Sequence, residues 1–402
     1  MAQRTVGQRV SYWRERRGLS QRGLAVRLGK SASWMQKVES GERALERLPV
    51  LEAVAEALRV DVQVLLGREL VRDSDLCLDG VEVAAIRRAL ERYDHLLAVA
   101  PGVVDRGRLR IGVHYAWVAF AGTDYGTLGR TLPHLIDRAQ AAVAGADGDD
   151  AAEAAGLLAQ AYQIASSTLR KLGENELAWL AADRSLVASE RSGDPQLTGT
   201  GAYRVANALL AKGRCDAAHD LNRLAADRLA TGEPAPCRGR LAVFGTLVLQ
   251  AGIAAARAGR DRDVHALLAE ADTAARHVGE GRDDYRTSFG PTNVGVHRVS
   301  ACVELGDGAA AIAAANRIGP DGLAGLRPER RANHLVDVAR AHLQTGDAEQ
   351  ALTALLEAEV LAPAEVRCRP LARNVVTDLN RRARGAAPWP LRELAERAGL
   401  PA

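Results

Sequence analysis

Gln21, Arg22, Lys30, Ser31, Ala32, Ser33, Trp34, Gln36, Lys37 and Arg43 crowd into one short stretch of the chain. Cations of this kind neutralise phosphates, whereas an amide and short hydroxyl or methyl groups suit the base edges exposed in a major groove. The chemistry written here is recognition of a duplex rather than the making of bonds. Charge agrees: between Met1 and Arg43 ten Lys or Arg face three acidic residues, while the whole chain carries only +3. The positive excess therefore sits on the segment that would need it for counterion release. Nothing reads as catalytic machinery, because the chain has no GxxxxGK[ST] loop, no HExxH, no Gly-x-Ser-x-Gly elbow and no dinucleotide fingerprint after a strand. Its nine histidines are scattered, and Cys77, Cys215, Cys237, Cys302 and Cys368 form no CxxC or CxxH pair. No enzyme activity, metal, cofactor or disulfide is expected.

Two short helical periods must hold the reading residues. Ser20 is placed to cap the first, in which Leu24, Ala25 and Leu28 recur as an inward stripe. Gly29 supplies the turn. Ser31 caps the second period, in which Met35 and Val38 point inward and Ala32, Ser33, Gln36 and Lys37 point out. Gln21 and Arg22 begin the first helix, where phosphates are met, and Lys30 and Arg43 flank the second.

Over Arg4 to Gly67 the chain resembles the Cro/C1-type (XRE) helix-turn-helix family. The likeness rests on an Arg-rich helix from Val6 to Arg17, the Leu-Ser-Gln opening, the Gly-Lys-Ser turn, Val38-Glu39-Ser-Gly-Glu-Arg43, and helices over Leu48–Leu58 and Asp61–Leu66. The resemblance implies a five-helix, lambda-repressor-like domain over 1–67, with Gln21, Ser31, Ala32, Ser33, Gln36, Lys37 and Arg43 at the DNA. Trp34 departs from the family, which places a small or β-branched residue there. It either packs against its own domain or a dimer neighbour, or touches a thymine methyl.

Residues 68–105 read as a linker and a connector helix, Val81 to Val99, closed by Pro101-Gly102. From 106 to 402 the chain repeats: helices are broken by glycine at Gly126, Gly173, Gly213, Gly259, Gly306, Gly346 and Gly385, at intervals of 47, 40, 46, 47, 40 and 39 residues. Second breakers fall at Gly193-Asp-Pro195, Gly232-Glu-Pro234, Gly319-Pro320 and Pro363. A period of this size with Ala-rich packing indicates an α-solenoid of tetratricopeptide-like helical hairpins, so the whole chain is read as all-α. No run approaches a membrane span, and the amino end has no apolar core of a signal peptide. A soluble, cytoplasmic protein with no membrane partner is expected.

Thirteen and nine residues before each turn glycine stand two positions one helical turn apart. From the second repeat to the sixth they read Gln160 and Ile164, Thr200 and Arg204, Thr246 and Gln250, Asn293 and His297, Asn333 and Asp337. This ladder of amide, hydroxyl and imidazole groups, with Tyr203 and Asn207 beside it, is placed to line a groove and pair with an extended peptide, Arg204 and Asp337 meeting its charged ends. A solvated helix face is the plainer reading. The stretch Gly279 to Ser288 is either a lid over the groove or an inter-repeat loop.

Together the two parts resemble helix-turn-helix regulators with carboxy-terminal tetratricopeptide-like domains in Gram-positive bacteria, including peptide-sensing and actinobacterial ones. The resemblance implies a homodimer on a two-fold-symmetric double-stranded DNA operator, with a peptide or small-molecule effector altering the spacing of the heads. In the alternative, the repeat domain is a docking and dimerisation scaffold with no small ligand.

Overall fold

The structure, a computed structural model, describes residues 5–45, 47–67, 76–92, 104–231, 237–383 and 387–401. The chain divides into two compact units, residues 1–73 and 74–402, and all regular structure among the described residues is helical.

The first unit holds α1 (Val6–Arg16), α2 (Gln21–Arg27), α3 (Ala32–Ser40), α4 (Leu48–Leu58) and α5 (Val62–Leu66). Ser20 and Ser31 cap α2 and α3, their hydroxyls accepting from the Gly23 and Trp34 backbone N–H groups at 2.9 and 3.1 Å. Gly29 takes φ +62° in the turn between them, a conformation costly for other residues. Val10, Leu24, Met35, Val54, Leu58 and Leu65 are fully buried in one core. Burial of Met35 and Val38 fixes which face of α3 is left outside, each contributing about 1.5–3 kcal/mol.

The second unit begins with α6 (Gly80–Leu90), whose Ile86 and Leu90 share a core with Leu128 and Leu132. Antiparallel pairs follow: α7 (Arg106–Ala121) with α8 (Tyr125–Ala144), α9 (Asp149–Lys171) with α10 (Asn175–Ser192), and α11 (Pro195–Ala211) with α12 (Cys215–Thr231). Next come α13 (Arg238–Arg257) with α14 (Asp261–Val278), then α15 (Pro291–Glu304) with α16 (Gly308–Ala315), and a short α17 (Pro320–Gly325). The last pair, α18 (Pro328–Gln344) with α19 (Ala348–Leu361), is followed by α20 (Pro363–Arg367), α21 (Pro370–Arg382) and α22 (Trp389–Arg397). This is an α-solenoid of tetratricopeptide-like hairpins. Gly173, Gly213, Gly259, Gly306 and Gly346 turn its pairs, with φ between +71° and +88°.

Four sequence expectations need correction. Gly126 lies inside α8, and the left-handed turn residue is Thr123 at φ 58°, so the first repeat is offset from the others. Helix α13 is long and apolar enough to cross a membrane, with a mean hydropathy of 1.5 in its best window. It is instead a core helix, 83% buried, because neighbouring pairs cover it on several sides. Cys77 and Cys368 form a disulfide although 291 positions separate them. The reason is that the array returns on itself: Tyr125 at the start of α8 donates to Glu365 of α20, and the Lys171 ammonium at the end of α9 donates to Glu365 at 2.7 Å and to Glu329 of α18. The expected groove is thereby narrowed into a partly open chamber. Residues 93–99 of the expected connector, Pro101-Gly102, the breaker Gly232-Glu-Pro234 and Gly385 lie outside the described residues.

Candidate functional site

On the first unit, the outward face of α3 carries Ala32, Ser33, Gln36 and Lys37, all exposed, with Ser31 at its cap. Arg22 and Lys30 are exposed as well. Arg43 is exposed and stands 6.0 Å from the centre of the Trp34 ring. Trp34 itself is half-buried against the domain core, which leaves only part of the indole outside. Gln21 does something not legible in its position: its amide donates to Glu39 at 2.8 Å. Glu39 also receives two bonds from Arg14, at 2.6 and 3.0 Å, while Arg14 donates to the Leu19 carbonyl at 2.8 Å. One carboxylate thus ties α1, the start of α2 and the end of α3 together. Burial raises the Glu39 carboxyl, but the hydrogen bonds from Arg14 and Gln21 outweigh it and hold the group below its ordinary range. The face presented is short-chained, polar and cationic at its margins, which is what a helix in a major groove requires.

In the second unit the first helices of successive pairs surround a chamber of about 200 Å³. Thr200, Tyr203, Arg204, Asn207, Thr246, Gln250, His297, Asn333 and Asp337 all line it. Three ladder positions do not, Ile164 being a buried apolar core residue. Gln160 faces α7, where its carbonyl accepts the Trp117 indole N–H at 3.2 Å and orients that ring into the chamber. Asn293, in the first turn of α15, is 1% exposed and neither of its amide atoms has a partner among the described residues.

Several lining groups are held by their own helices or by the next one in the array. The Thr200 and Thr246 hydroxyls donate to the Leu197 and Ala242 carbonyls, each at 2.8 Å, and the Gln250 amide donates to Asn207 at 2.9 Å. Asn333 donates to Glu329 at 2.8 Å, and Asp337 accepts from Arg340 at 2.9 Å. Arg204 Nε, Arg330 Nε, Asn333 Oδ1 and His334 Nδ1 are buried without a partner among the described residues. Burial, with Arg330 nearby, pushes the His297 imidazole down to about 4, so it is neutral at physiological pH.

A loop covers one side. Tyr285, Arg286, Thr287 and Ser288 line the chamber, and three of the four hold left-handed backbone, φ 51°, 60° and 50° at Tyr285, Arg286 and Ser288. Such conformations cost roughly 1–3 kcal/mol each and persist only where surroundings impose them. Here the Tyr285 hydroxyl donates to Asp194 at 3.0 Å, the Ser288 N–H donates to Asp283 at 3.0 Å, and Phe289 is buried.

The cations of this chamber escaped the ladder. Arg170, Lys171, Arg257, Arg286, Arg327, Arg330 and Arg369 line it together with Glu329. Continuing the same helical face to six and two residues before the glycines reaches Ser167, Lys171, Ile253, Arg257 and Ser300, and that extension was the missing signal.

Residues 6–66 match a family model described as a helix-turn-helix domain. The first unit is a helix-turn-helix domain. Among curated proteins none matches the chain. Among solved structures, Bacillus thuringiensis PlcR, in complex with the peptide PapR7 and DNA, is similar at 12% identity and a TM-score of 0.35, over 90% of this chain and 99% of that one. The helix-turn-helix unit is the DNA-binding part of this protein, and α3 is the second helix of the pair joined at Gly29.

Proposed function

We propose that the protein is a transcriptional regulator that binds a two-fold-symmetric operator as a homodimer, through residues 1–67, and that its repeat unit, residues 106–402 with a connector before it, takes a peptide or small-molecule effector in the chamber. One observation carries the effector half: seven of the ten positions picked from the turn spacing, with Tyr203 and Asn207 beside them, converge on one polar chamber in which buried donors stand without acceptors among the described residues. Such groups cost free energy unless something enters to pair with them. The DNA half rests on the exposed face of α3, with Ser31, Ala32, Ser33, Gln36 and Lys37 toward the bases and Gln21, Arg22, Lys30 and Arg43 toward phosphates. Its role is binding and switching, in the compartment that holds the DNA.

The test is a thermal-shift titration of the full chain with fractionated cell extract, because a ligand bound only by the native state raises Tm with the logarithm of its concentration. The chamber variant Asn333→Ala should lose the shift and keep operator affinity. A second reading, the docking scaffold without ligand, is favoured by the exposed apolar stripe Ile111, Tyr115 and Val118 on α7. Extracts that leave Tm unmoved, with dimerisation lost in Tyr115→Glu, would favour that reading.

A further inference from the structure

Three arginines from three helix pairs act on one phenol. Arg170 ends α9, Arg204 lies in α11 next to Tyr203, and Arg330 stands in the first turn of α18. The Arg204 guanidinium carbon is 4.8 Å from the centre of the Tyr203 ring and 5.8 Å from that of Trp117. Every other cation of the chamber has a carboxylate. Lys171 is held by Glu329 and Glu365, Arg257 by Glu304, Arg286 and Arg327 by Asp283, and Arg369 by Glu365. Arg170, Arg204 and Arg330 have none within 4.0 Å among the described residues. Arg330 feels the charge of Glu329, yet that carboxylate is committed to Lys171 and to the Asn333 amide.

Two of the three are strained in their protonation, whereas burial of Arg330 is outweighed by the Glu329 charge and Tyr203, which raise it above its ordinary value. Burial, then the charges of Arg369 and Arg204, pushes Arg170 down to about 10. Burial and Arg330 lower Arg204 as well. Burial raises the Tyr203 phenol, but Arg330, Arg204, Asn207 and Arg170 outweigh it and bring it below its ordinary value. Arg204 is 9% exposed, and its Nε, like that of Arg330, has no acceptor among the described residues. Planar guanidinium forks converging without an anion are a poor arrangement for an empty site and a good one for binding oxygen pairs.

We infer that the chamber's ligand carries an oxyanion, and that Arg170, Arg204 and Arg330 clasp it beside Tyr203. This deepens the effector reading and rests on it. Both a phosphate group and the free carboxylate of a peptide offer the required paired oxygens.

The experiment follows the Tm of the full chain against sodium phosphate, pyrophosphate, and trialanine with a free or an amidated carboxyl group, each at matched ionic strength in sodium chloride. An oxyanion that binds should raise Tm linearly with the logarithm of its concentration above Kd. Arg204→Gln and Arg330→Gln should each abolish that shift, while Arg262→Gln, an exposed arginine of α14 outside the chamber, should retain it. Without anion, Arg204→Gln should melt slightly above the parent, since burial and Arg330 disfavour its charge, whereas Arg330→Gln should not, since Glu329 and Tyr203 favour its charge. A shift with pyrophosphate alone assigns a phosphate-bearing ligand, and one with free-carboxyl trialanine alone assigns a peptide end. No shift with any probe, or shifts that survive both chamber variants, would overturn the inference. Equal shifts with free and amidated trialanine would overturn it too, yet leave the effector reading standing. That reading falls separately, if cell extracts also leave Tm unmoved.

Discussion

Removing the Glu39 carboxylate should unfold the DNA-binding unit well below its normal melting temperature. The Glu39 and Arg14 side chains are 6% and 10% exposed, so Glu39→Ala leaves a nearly buried guanidinium whose remaining carboxylate, Glu15 at 3.1 Å, is 68% exposed and weak. Breaking such a pair costs about 3–5 kcal/mol when both groups are buried, and the contact with Glu15 puts this case near about 3. For a unit of this size 1 kcal/mol corresponds to roughly 4–8 °C, so the first thermal transition should fall by roughly 12–24 °C. The Gln21 amide loses its acceptor in the same variant, freeing the start of α2 from the end of α3. Because Glu39 titrates below its ordinary range in the folded state, its contribution is complete at neutral pH and is lost as pH falls through that lowered value. The assay is scanning calorimetry with tryptophan fluorescence, Trp13 being buried in the same unit. Arg14→Met with Glu39→Leu should recover most of the loss, since an apolar pair of similar volume leaves no charge stranded. A single variant melting within about 2 °C of the parent, or a double variant no better than the singles, would refute the clamp.

Three further outcomes follow from other parts of the chain. Gly7→Ala would place a methyl 2.1 Å from the Val38 carbonyl oxygen, so it should cost the first unit about 1–3 kcal/mol and weaken DNA binding while the second unit's transition stays in place; calorimetry showing no change would contradict the close α1–α3 approach. His297, with its folded value near 4 against 6.5 unfolded, should cost the second unit up to about 3 kcal/mol as pH falls from 6.5 to 4, and His297→Gln should flatten that acid limb in urea titrations; an unchanged limb would place the cause elsewhere. Cys77→Ser should lower the second transition by about 2–4 kcal/mol of stability and remove its sensitivity to dithiothreitol, and a variant as stable and as reductant-sensitive as the parent would deny the link to Cys368.

How much could be read in advance follows the range of the interactions. The first unit is built from contacts three and four residues apart: the Ser20 and Ser31 caps, the Leu24–Ala25–Leu28 stripe and the Gly29 turn. All of these are visible in a string of letters. The Arg14–Glu39–Gln21 clamp spans 25 residues and has no local signature. In the second unit, aligning the second to sixth repeats on their glycines brought seven residues to one chamber, since a fixed register carries a face from helix to helix. It failed where the register failed, at Thr123, and where the face was followed for only one turn, which left out Lys171 and Arg257. Closure of the array was illegible. Tyr125 and Glu365 meet across 240 positions, and Cys77 and Cys368 across 291, through the summed rotation of all the pairs between them. Helix α13 reaches a membrane-spanning length and hydropathy that the sequence reading did not expect of any run. Its buried apolar circumference belongs to a core helix packed by neighbours, a distinction that hydropathy alone does not draw.

Quantitative footprinting of the full chain on duplexes selected from a genomic pool, repeated at several salt concentrations, bears most closely on the reading helix. The parent should protect a two-fold-symmetric subset of sequences. Gln36→Ala should relax the preference by roughly 1–3 kcal/mol at the bases it meets, and Lys37→Ala should weaken all sequences alike with a salt slope smaller by about one. Footprints and affinities unchanged in both variants, or a parent that binds every duplex equally weakly and is released by modest salt, would contradict the assignment of α3 to the major groove.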